Sequence, residues 1–283
     1  MLYEAVVWLG FGLIFGSFTN VLILRHGTRA LDGRSSCPKC GRVLAWHELL
    51  PVLSWLMLRG KCSSCRASIS VQYPVVELAA GISFLMLGLA PLPLIAQVIG
   101  CAIAIFCIAI FVYDLYHMIM PDRWVWSFNA LALVFSLYLM YLFAPTGEWV
   151  PYVWLLVAGP LVSLPLFLMW LISRGTWMGF GDVKFALGMG WLLGLGYGYL
   201  ALMYSFVIGA IIGVFILIPL PHIVKVLHSL GITRLGGGKE GFTMKSEVPF
   251  GPFLIIGTSI VWFALIYSYA PILGFPGALV LWN

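Results

Sequence analysis

The sequence has 283 residues, of which 62% are hydrophobic and only 9% are charged. Soluble globular domains carry roughly 25% charged residues, so the composition excludes that class and indicates an integral membrane protein. The formal net charge is +5, yet no basic stretch interleaved with aromatic side chains suggests a nucleic-acid partner. The lipid bilayer is therefore the first partner that the sequence predicts.

Eight apolar stretches are candidates for transmembrane helices. Their hydrophobicity is uniform, without the alternation of a β-strand, so we expect an all-α membrane protein with about eight spans. Pro91-Leu92-Pro93 separates the second stretch from the third, and Gly194, Gly196 and Gly198 mark either a turn or a bend. The predicted spans are 5–24, 78–93, 95–113, 124–143, 150–173, 183–197, 199–220 and 251–270.

The basic residues predict the orientation of these spans. Residues 25–76 contain eight of the fifteen Lys and Arg, so this segment is expected in the cytoplasm and the N-terminus outside. With eight spans, every other Lys and Arg also falls on the cytoplasmic side, and only Glu4 and Glu148 remain outside. No basic segment precedes the first span and no small-residue cleavage site follows it, which predicts a retained helix.

The cytoplasmic insert carries two Cys-x-x-Cys pairs, a spacing typical of zinc ribbons. A reducing cytoplasm disfavours the alternative of disulfides, and an insert of about 50 residues has little core of its own to stabilise it. We predict a structural zinc, with disulfides or free thiols as the alternatives. Cys101 and Cys107 lie in an apolar span and are expected to be packing residues. The predicted ligands are Cys37, Cys40, Cys62 and Cys65.

Two aspartates are expected at one depth on the cytoplasmic side. Asp114 closes a predicted helix that runs inward, and Asp182, in Gly179-Phe-Gly181-Asp182, opens one that runs outward. Acidic groups at membrane depth are costly and usually functional. Two carboxylates held together share one proton, which is the chemistry of aspartic proteases. The pair therefore predicts intramembrane proteolysis by Asp114 and Asp182.

Other interpretations of these acids stay open at this point. Asp182 could cap the helix that follows it, and Asp114 could pair with His117 or Arg123 at the membrane surface. Asp122 is expected to start a helix or to form a salt bridge. The alternative function is a transporter or channel in which the acids relay protons or bind a cation.

Six motifs follow one another along the chain. They are Gly16-Ser-Phe-Thr-Asn20-Val with Arg25; the insert with Cys37-Pro-Lys-Cys40, Pro51-Val-Leu-Ser-Trp55 and Arg59-Gly-Lys-Cys62-Ser-Ser-Cys65; Tyr73-Pro-Val-Val-Glu77-Leu; Asp114 with Pro121-Asp122; Gly179-Phe-Gly181-Asp182-Val-Lys184; and Pro249-Phe-Gly-Pro252-Phe. In this order they resemble the motifs of the bacterial type IV prepilin peptidases, the prepilin peptidase/N-methyltransferase family, over nearly the whole chain.

The resemblance implies a bacterial inner-membrane enzyme of type IV pilus or type II secretion systems. Its substrates would be prepilins or pseudopilins, cut on the cytoplasmic side between a Gly and a hydrophobic residue. Asp114 and Asp182 would be the catalytic residues, and the insert would bear the zinc. Many members then methylate the new N-terminal amine with S-adenosylmethionine, so we expect this activity too, with a peptidase that lacks it as the alternative.

The chain departs from the family pattern mainly in the insert. The tract that begins at Trp46 lacks a usual Asn, Gln72 replaces a common Arg, and His26 stands where Leu-Pro is common. The cleavage motifs are intact, but no glycine-rich nucleotide loop is visible, so the residues that bind the methyl donor stay unknown. Glu48 and Gly60 are weak candidates, and a solvated acid and a turn glycine are equally acceptable roles for them.

The motifs predict a division of the chain into three parts. These are a first transmembrane helix at 1–24, a four-cysteine zinc-binding insert and possible methyltransferase region at 25–76, and a peptidase domain of seven helices at 77–283.

Overall fold

A computed structural model describes residues 2–27, 33–143, 149–217 and 249–268, and it is helical as predicted. Among these residues there is no β-strand, only two isolated bridges in the insert. Glu148 lies outside the described residues. The α-helices are α1 (Leu2–Arg25), α2 (Leu53–Met57), α3 (Gln72–Leu89), α4 (Leu94–His117), α5 (Asp122–Phe143), α6 (Val150–Ser173), α7 (Phe180–Ile212) and α8 (Gly251–Ser268).

Seven of the described helices, all except the short α2, are long and apolar enough to cross a membrane. The 33-residue α7 is broken at Gly194, whose φ of 75° and ψ of 179° are not helical. A Cβ on Gly198 would lie 3.5 Å from the Cα of Gly190. Residues eight apart in a continuous helix are separated by about 12 Å along the axis, so the chain turns back at Gly194. The described helices therefore run along the bundle eight times, which agrees with the predicted number of spans.

Glycines bring α1 and α3 into close antiparallel contact. A Cβ on Gly12 would lie 2.7 Å from the carbonyl oxygen of Ala80, and one on Gly16 would lie 2.7 Å from the Cα of Glu77. Small residues at such positions allow the backbones of membrane helices to approach. The close contact packs α1 along α3, and the predicted division of the chain at residues 24 and 76 stays a prediction.

Side-chain hydrogen bonds join α5 to the first half of α7. Asn129 donates to the carbonyl of Lys184 at 3.0 Å, and Ser136 donates to that of Trp191 at 2.7 Å. The spacing is seven residues on both helices, so the two run in the same direction with matched register. In the hydrocarbon region such bonds act between helices without competition from water.

The helix directions bring the functional motifs to one end of the bundle, which we call the insert side, where α1 ends and α3 begins. The second half of α7 returns to this side, because Gly209 lies against Phe253 and Gly257 lies against Ala201. Consequently α4 ends there, while α5, α7 and α8 begin there. The described basic residues also lie on the insert side, and Glu4 lies at the opposite end. This is the asymmetry that the charge distribution predicted.

Replacing Gly194 with alanine should destabilise the protein by about 1–3 kcal/mol, because its backbone conformation is open almost only to glycine. Gly196→Ala is the matched control, since Gly196 has an ordinary φ and nothing lies within 4 Å of its Cβ position. Unfolding by denaturant in detergent micelles measures both free energies. Equal effects of the two substitutions would contradict the reversal at Gly194.

Candidate active site

Asp114 lies in the last turn of α4 and is 5% exposed. Its carbonyl oxygen accepts the backbone N–H of Met118 at 2.8 Å. Met118 adopts a left-handed conformation, with φ of 53°, and ends the helix. This left-handed termination is a common way for helices to end. The carboxylate is therefore held at the rim of the bundle by a regular helix rather than by a loop.

Asp182 is the third residue of α7 and is 7% exposed. The residue that caps the helix is Gly179, in an extended conformation, so the capping role considered for Asp182 falls to another residue. The carboxylate of Asp182 instead accepts the backbone N–H of Gly179. This bond satisfies one of the donors that a helix leaves free at its N-terminus.

Met120 and Gly251 connect the two aspartates. A Cβ on Gly181, beside Asp182, would lie 3.1 Å from the Cβ of Met120. Gly251, the first residue of α8, abuts both the side chain of Met120 and the Oδ2 of Asp114. An electrostatic interaction links the carboxylates of Asp114 and Asp182 themselves. The structure thus brings together the two acids that the sequence placed at one depth.

The contact with Gly251 was not identified from the sequence. The sequence predicts no role for the glycine of the Pro249-Phe-Gly-Pro252-Phe motif. A side chain at position 251 would overlap the carboxylate of Asp114. The glycine is therefore required by the close approach of α8 to α4, which sequence separation conceals.

An ion pair lies beside the two acids and joins α5 to α7. Lys184 pairs with Asp122, the first residue of α5, so Asp122 has both roles that were expected for it. The ammonium of Lys184 also lies 5.4 Å from the ring centroid of Phe180. These contacts lie at the rim of the interface between α5 and α7.

A salt bridge at the membrane surface does not account for the position of Asp114. In the described ranges, Asp114 forms no salt bridge with His117 or Arg123, the partners considered from the sequence. The ring of His117 packs against Tyr113 instead, with centroids 4.3 Å apart. Asp114 and Asp182 are both buried and interact electrostatically, and in this part of the chain Asp114 has no cationic partner. Such a pair favours one protonated and one ionised carboxyl group, which can act as an acid and a base.

The four cysteines of the insert converge in one cluster. Their sulfur atoms all lie within 4.8 Å of one another, and all six cysteines of the chain are free of disulfides. The Sγ atoms of Cys37 and Cys65 are 3.8 Å apart. Tetrahedral zinc with Zn–S bonds of about 2.3 Å places its sulfurs about 3.8 Å apart, so the cluster fits zinc.

The pKa values of these thiols also favour the binding of a cation. Backbone N–H groups of Cys40 and Lys39 lower the pKa of Cys37 to about 6, and those of Cys65 and Ser64 lower the pKa of Cys62. The N–H of Ala67 favours the thiolate of Cys65, but burial and the neighbouring thiols outweigh it and raise the pKa of Cys65 to about 11. Four thiolates can coexist at this distance only around a positive ion.

Glu48 and Gly60, the candidates for methyl-donor binding, have structural contacts. Glu48 accepts hydrogen bonds from the hydroxyl of Ser63, the N–H of Ala45 and the guanidinium of Arg42, which lower the pKa of Glu48 to about 2. This network ties together the two cysteine turns. Gly60 has a φ of 65° and would meet the ring of Trp55 if it carried a Cβ. These contacts give both residues a structural role in the insert, and a part in methyl-donor binding stays a prediction.

Comparison with known proteins gives two matching family models. Residues 11–90 match the Bacterial Peptidase A24 N-terminal domain, and residues 101–214 match the Type IV leader peptidase family. The first range contains the cysteine cluster, and the second contains Asp114 and Asp182. No solved structure matches the chain.

Whole-length relatives carry one name, prepilin leader peptidase/N-methyltransferase. The protein of Pectobacterium carotovorum subsp. carotovorum is 30% identical, over 87% of this chain and 88% of its own length. The protein of Aeromonas salmonicida (strain A449) is 28% identical, over 94% of this chain and 91% of its own length. The protein of Stutzerimonas stutzeri is 30% identical, over 83% of this chain and 72% of its own length. The resemblance seen in the motifs is confirmed, and the chain belongs to the type IV prepilin leader peptidase/N-methyltransferase family.

Proposed function

We propose that this protein is an aspartic endopeptidase that removes the leader peptide of type IV prepilins or pseudopilins. The observation that carries the proposal is the meeting of two buried carboxylates, Asp114 and Asp182, at one end of a membrane bundle. Membership of a family named for leader peptidases supports it. It also favours proteolysis over the alternative of a transporter that uses the same acids.

In the proposed mechanism the two aspartates divide the work of acid and base. The ionised carboxylate takes a proton from a water molecule as the water oxygen attacks the peptide carbonyl. The protonated carboxyl donates its proton to the developing oxyanion. When the tetrahedral intermediate collapses, the C–N bond breaks, the leaving amine takes up a proton from the pair, and a hydroxyl group of the intermediate returns one proton to it. Peptide bond and water are thereby converted into a carboxylate and a new amine.

Gly179 leaves room for a substrate backbone near Asp182, because a Cβ at this position would meet no atom closer than 3.9 Å. A prepilin whose apolar helix lies in the bilayer would present the bond before that helix at the depth of these residues. We propose that the insert side faces the cytoplasm and the N-terminus faces outward, because the described basic residues lie on the insert side.

We further propose that the new N-terminus is methylated, with S-adenosylmethionine as the methyl donor. The support is the N-methyltransferase activity in the names of the relatives. Because Glu48 and Gly60 are engaged in structural contacts, neither is given a part in this step.

Zinc would be held by Cys37, Cys40, Cys62 and Cys65. Four thiolate ligands leave no open coordination position, so the metal would stabilise the insert rather than activate water. The four cysteine side chains would be brought together by two turns, each closed by backbone hydrogen bonds to the first cysteine of its pair.

Asp114→Asn and Asp182→Asn should each reduce cleavage by about 10²–10⁴-fold, because each removes a proton-transfer group without changing its size. Asp122→Asn is the control. It breaks a partly exposed ion pair whose free energy is about 0–1 kcal/mol, so cleavage should stay within about tenfold of wild type. Release of the leader from a labelled prepilin in vesicles measures all three. Full cleavage by either Asp114→Asn or Asp182→Asn would refute the proposed mechanism.

Purified protein should contain about one zinc per chain, bound by four thiolates. The double substitution Cys40→Ser and Cys65→Ser should abolish zinc binding, because it removes one ligand from each pair. Cys101→Ser is the control, since Cys101 is buried in α4 far along the chain from the cluster. Metal analysis of the wild-type protein, the double variant and the control variant measures the zinc content of each. Wild-type protein without zinc would show that the cluster has another role.

Cleaved prepilin should gain the mass of one methyl group at its new N-terminus when S-adenosylmethionine is present during the reaction. Mass spectrometry of the product with and without the donor measures this. A product that is cleaved but never methylated would remove the methyltransferase proposal and leave the peptidase proposal intact.

A further inference from the structure

The insert contains an apolar segment, residues 46–57, that is fastened to the membrane helices. It comprises the short turn Trp46–Leu49, residues 50–52 and α2. The backbone N–H of Val52 donates to Oε2 of Glu77 in α3 at 2.7 Å. Ser17 of α1 also bonds the carboxylate of Glu77, which is 6% exposed. The position of Glu77 in the bundle therefore fixes the depth of Val52.

Glu77 lies within the span of α1. Its Cα is in contact with Gly16, which precedes Arg25, the end of α1, by nine residues, or about 13 Å of helix. The 24 residues of α1 extend over about 36 Å, only about 6 Å more than the hydrocarbon layer. Side chains on a helix point toward its N-terminus, which for α3 is the insert side. The Glu77 carboxylate therefore lies about 5 Å closer to the membrane surface than its Cα, which is still at acyl-chain depth. Val52 is bonded there.

The backbone at Val52 is held in an unusual conformation by this contact. Its φ is 61°, which is rare for a β-branched residue. Such strain persists only where the surroundings impose it. The bond to Glu77 joins the residue before α2 directly to α3.

One face of segment 46–57 packs against the rest of the insert, and the other face is left exposed by the described part of the chain. The Nε1 of Trp55 donates to the carbonyl of Ile69 at 3.2 Å, and its ring covers Gly60. In contrast, Met57 is 80% exposed, Trp46 is 76% exposed, and Leu53 and Leu56 are each 58% exposed. Leu49 and Leu50 are also exposed. An apolar face of this size is unusual on a surface that meets water.

Basic side chains border this face. Arg59 and Lys61 follow α2 directly, and both are exposed. An amphipathic segment with apolar residues on one face and Lys or Arg next to it is typical of segments that lie in a membrane interface. The exposed tryptophan fits the same location, because indole rings favour the boundary between headgroups and acyl chains.

We propose that segment 46–57 is embedded in the bilayer leaflet on the insert side. Leu53, Leu56 and Met57 contact lipid acyl chains, and Arg59 and Lys61 lie among anionic headgroups. Glu77 holds Val52 at acyl-chain depth, which keeps the start of α2 next to the membrane. The insert is thus anchored to the membrane by its own side chains as well as by the two helices that flank it.

The test uses the full-length protein in vesicles of phosphatidylethanolamine and phosphatidylglycerol. An environment-sensitive fluorescent amino acid is introduced at position 57, separately at position 56, and at the exposed Lys39 as the control. Positions 56 and 57 give two independent measurements at side chains that are mostly exposed. Fluorescence is quenched either by lipids with nitroxides on their acyl chains or by iodide in the water.

Acyl-chain nitroxides should quench the probes at positions 56 and 57 at least about twofold more than the probe at position 39. Iodide should give the reverse order. Probes at positions 56 and 57 that iodide quenches as strongly as the control, with little effect of the nitroxide lipids, would overturn the proposal. The apolar face would then be available to a protein partner, and protection of these probes from iodide only after a prepilin is added would identify that partner as the substrate.

Discussion

The structure depends on bringing two carboxylates from separate helices together where little water reaches them. A charged group at membrane depth is unfavourable unless the fold supplies partners for it. In the described part of the chain the support comes from backbone geometry: Gly179 donates an N–H to Asp182, and Gly251 allows α8 to lie against Asp114. Met120 fills the space between Gly181 and Gly251. Glycine contacts and one flexible side chain thus hold the pair, which leaves both carboxylates available for proton transfer.

The rest of the bundle keeps these helix ends in place. The bonds from Asn129 and Ser136 fix the register of α7 against α5. The ion pair between Asp122 and Lys184 adds a contact at the rim of the same interface. The reversal at Gly194 returns the chain to the insert side, so that α8 can begin next to Asp114. Without that reversal, the start of α8 would lie at the opposite end of the bundle, far from both acids.

Much of this arrangement could be predicted from the sequence, because it follows from local hydrophobicity and from the parity of the helices. Eight spans and alternating directions suffice to place Asp114 and Asp182 on one side, and Cys-x-x-Cys spacing suffices to predict the cluster. The contact of Gly251 with Asp114 and the bond of Val52 to Glu77 could not be predicted. Both join residues far apart in the chain through one atom or one backbone group, and no periodicity in the sequence reports such contacts. Glu48 was ambiguous for a related reason, since its partner Ser63 belongs to the other cysteine turn.

The beginning of the insert is also close to the aspartates. His26, the residue after α1, lies 5.2 Å from Tyr113 and 4.4 Å from Trp124 between ring centroids. Tyr113 is the neighbour of Asp114 in α4, so the chain enters the insert beside the proposed cleavage site. This gives a structural role to a residue that departs from the family pattern. The insert is thus connected to the end of the bundle that carries the aspartates through His26 as well as through the bond of Val52 to Glu77.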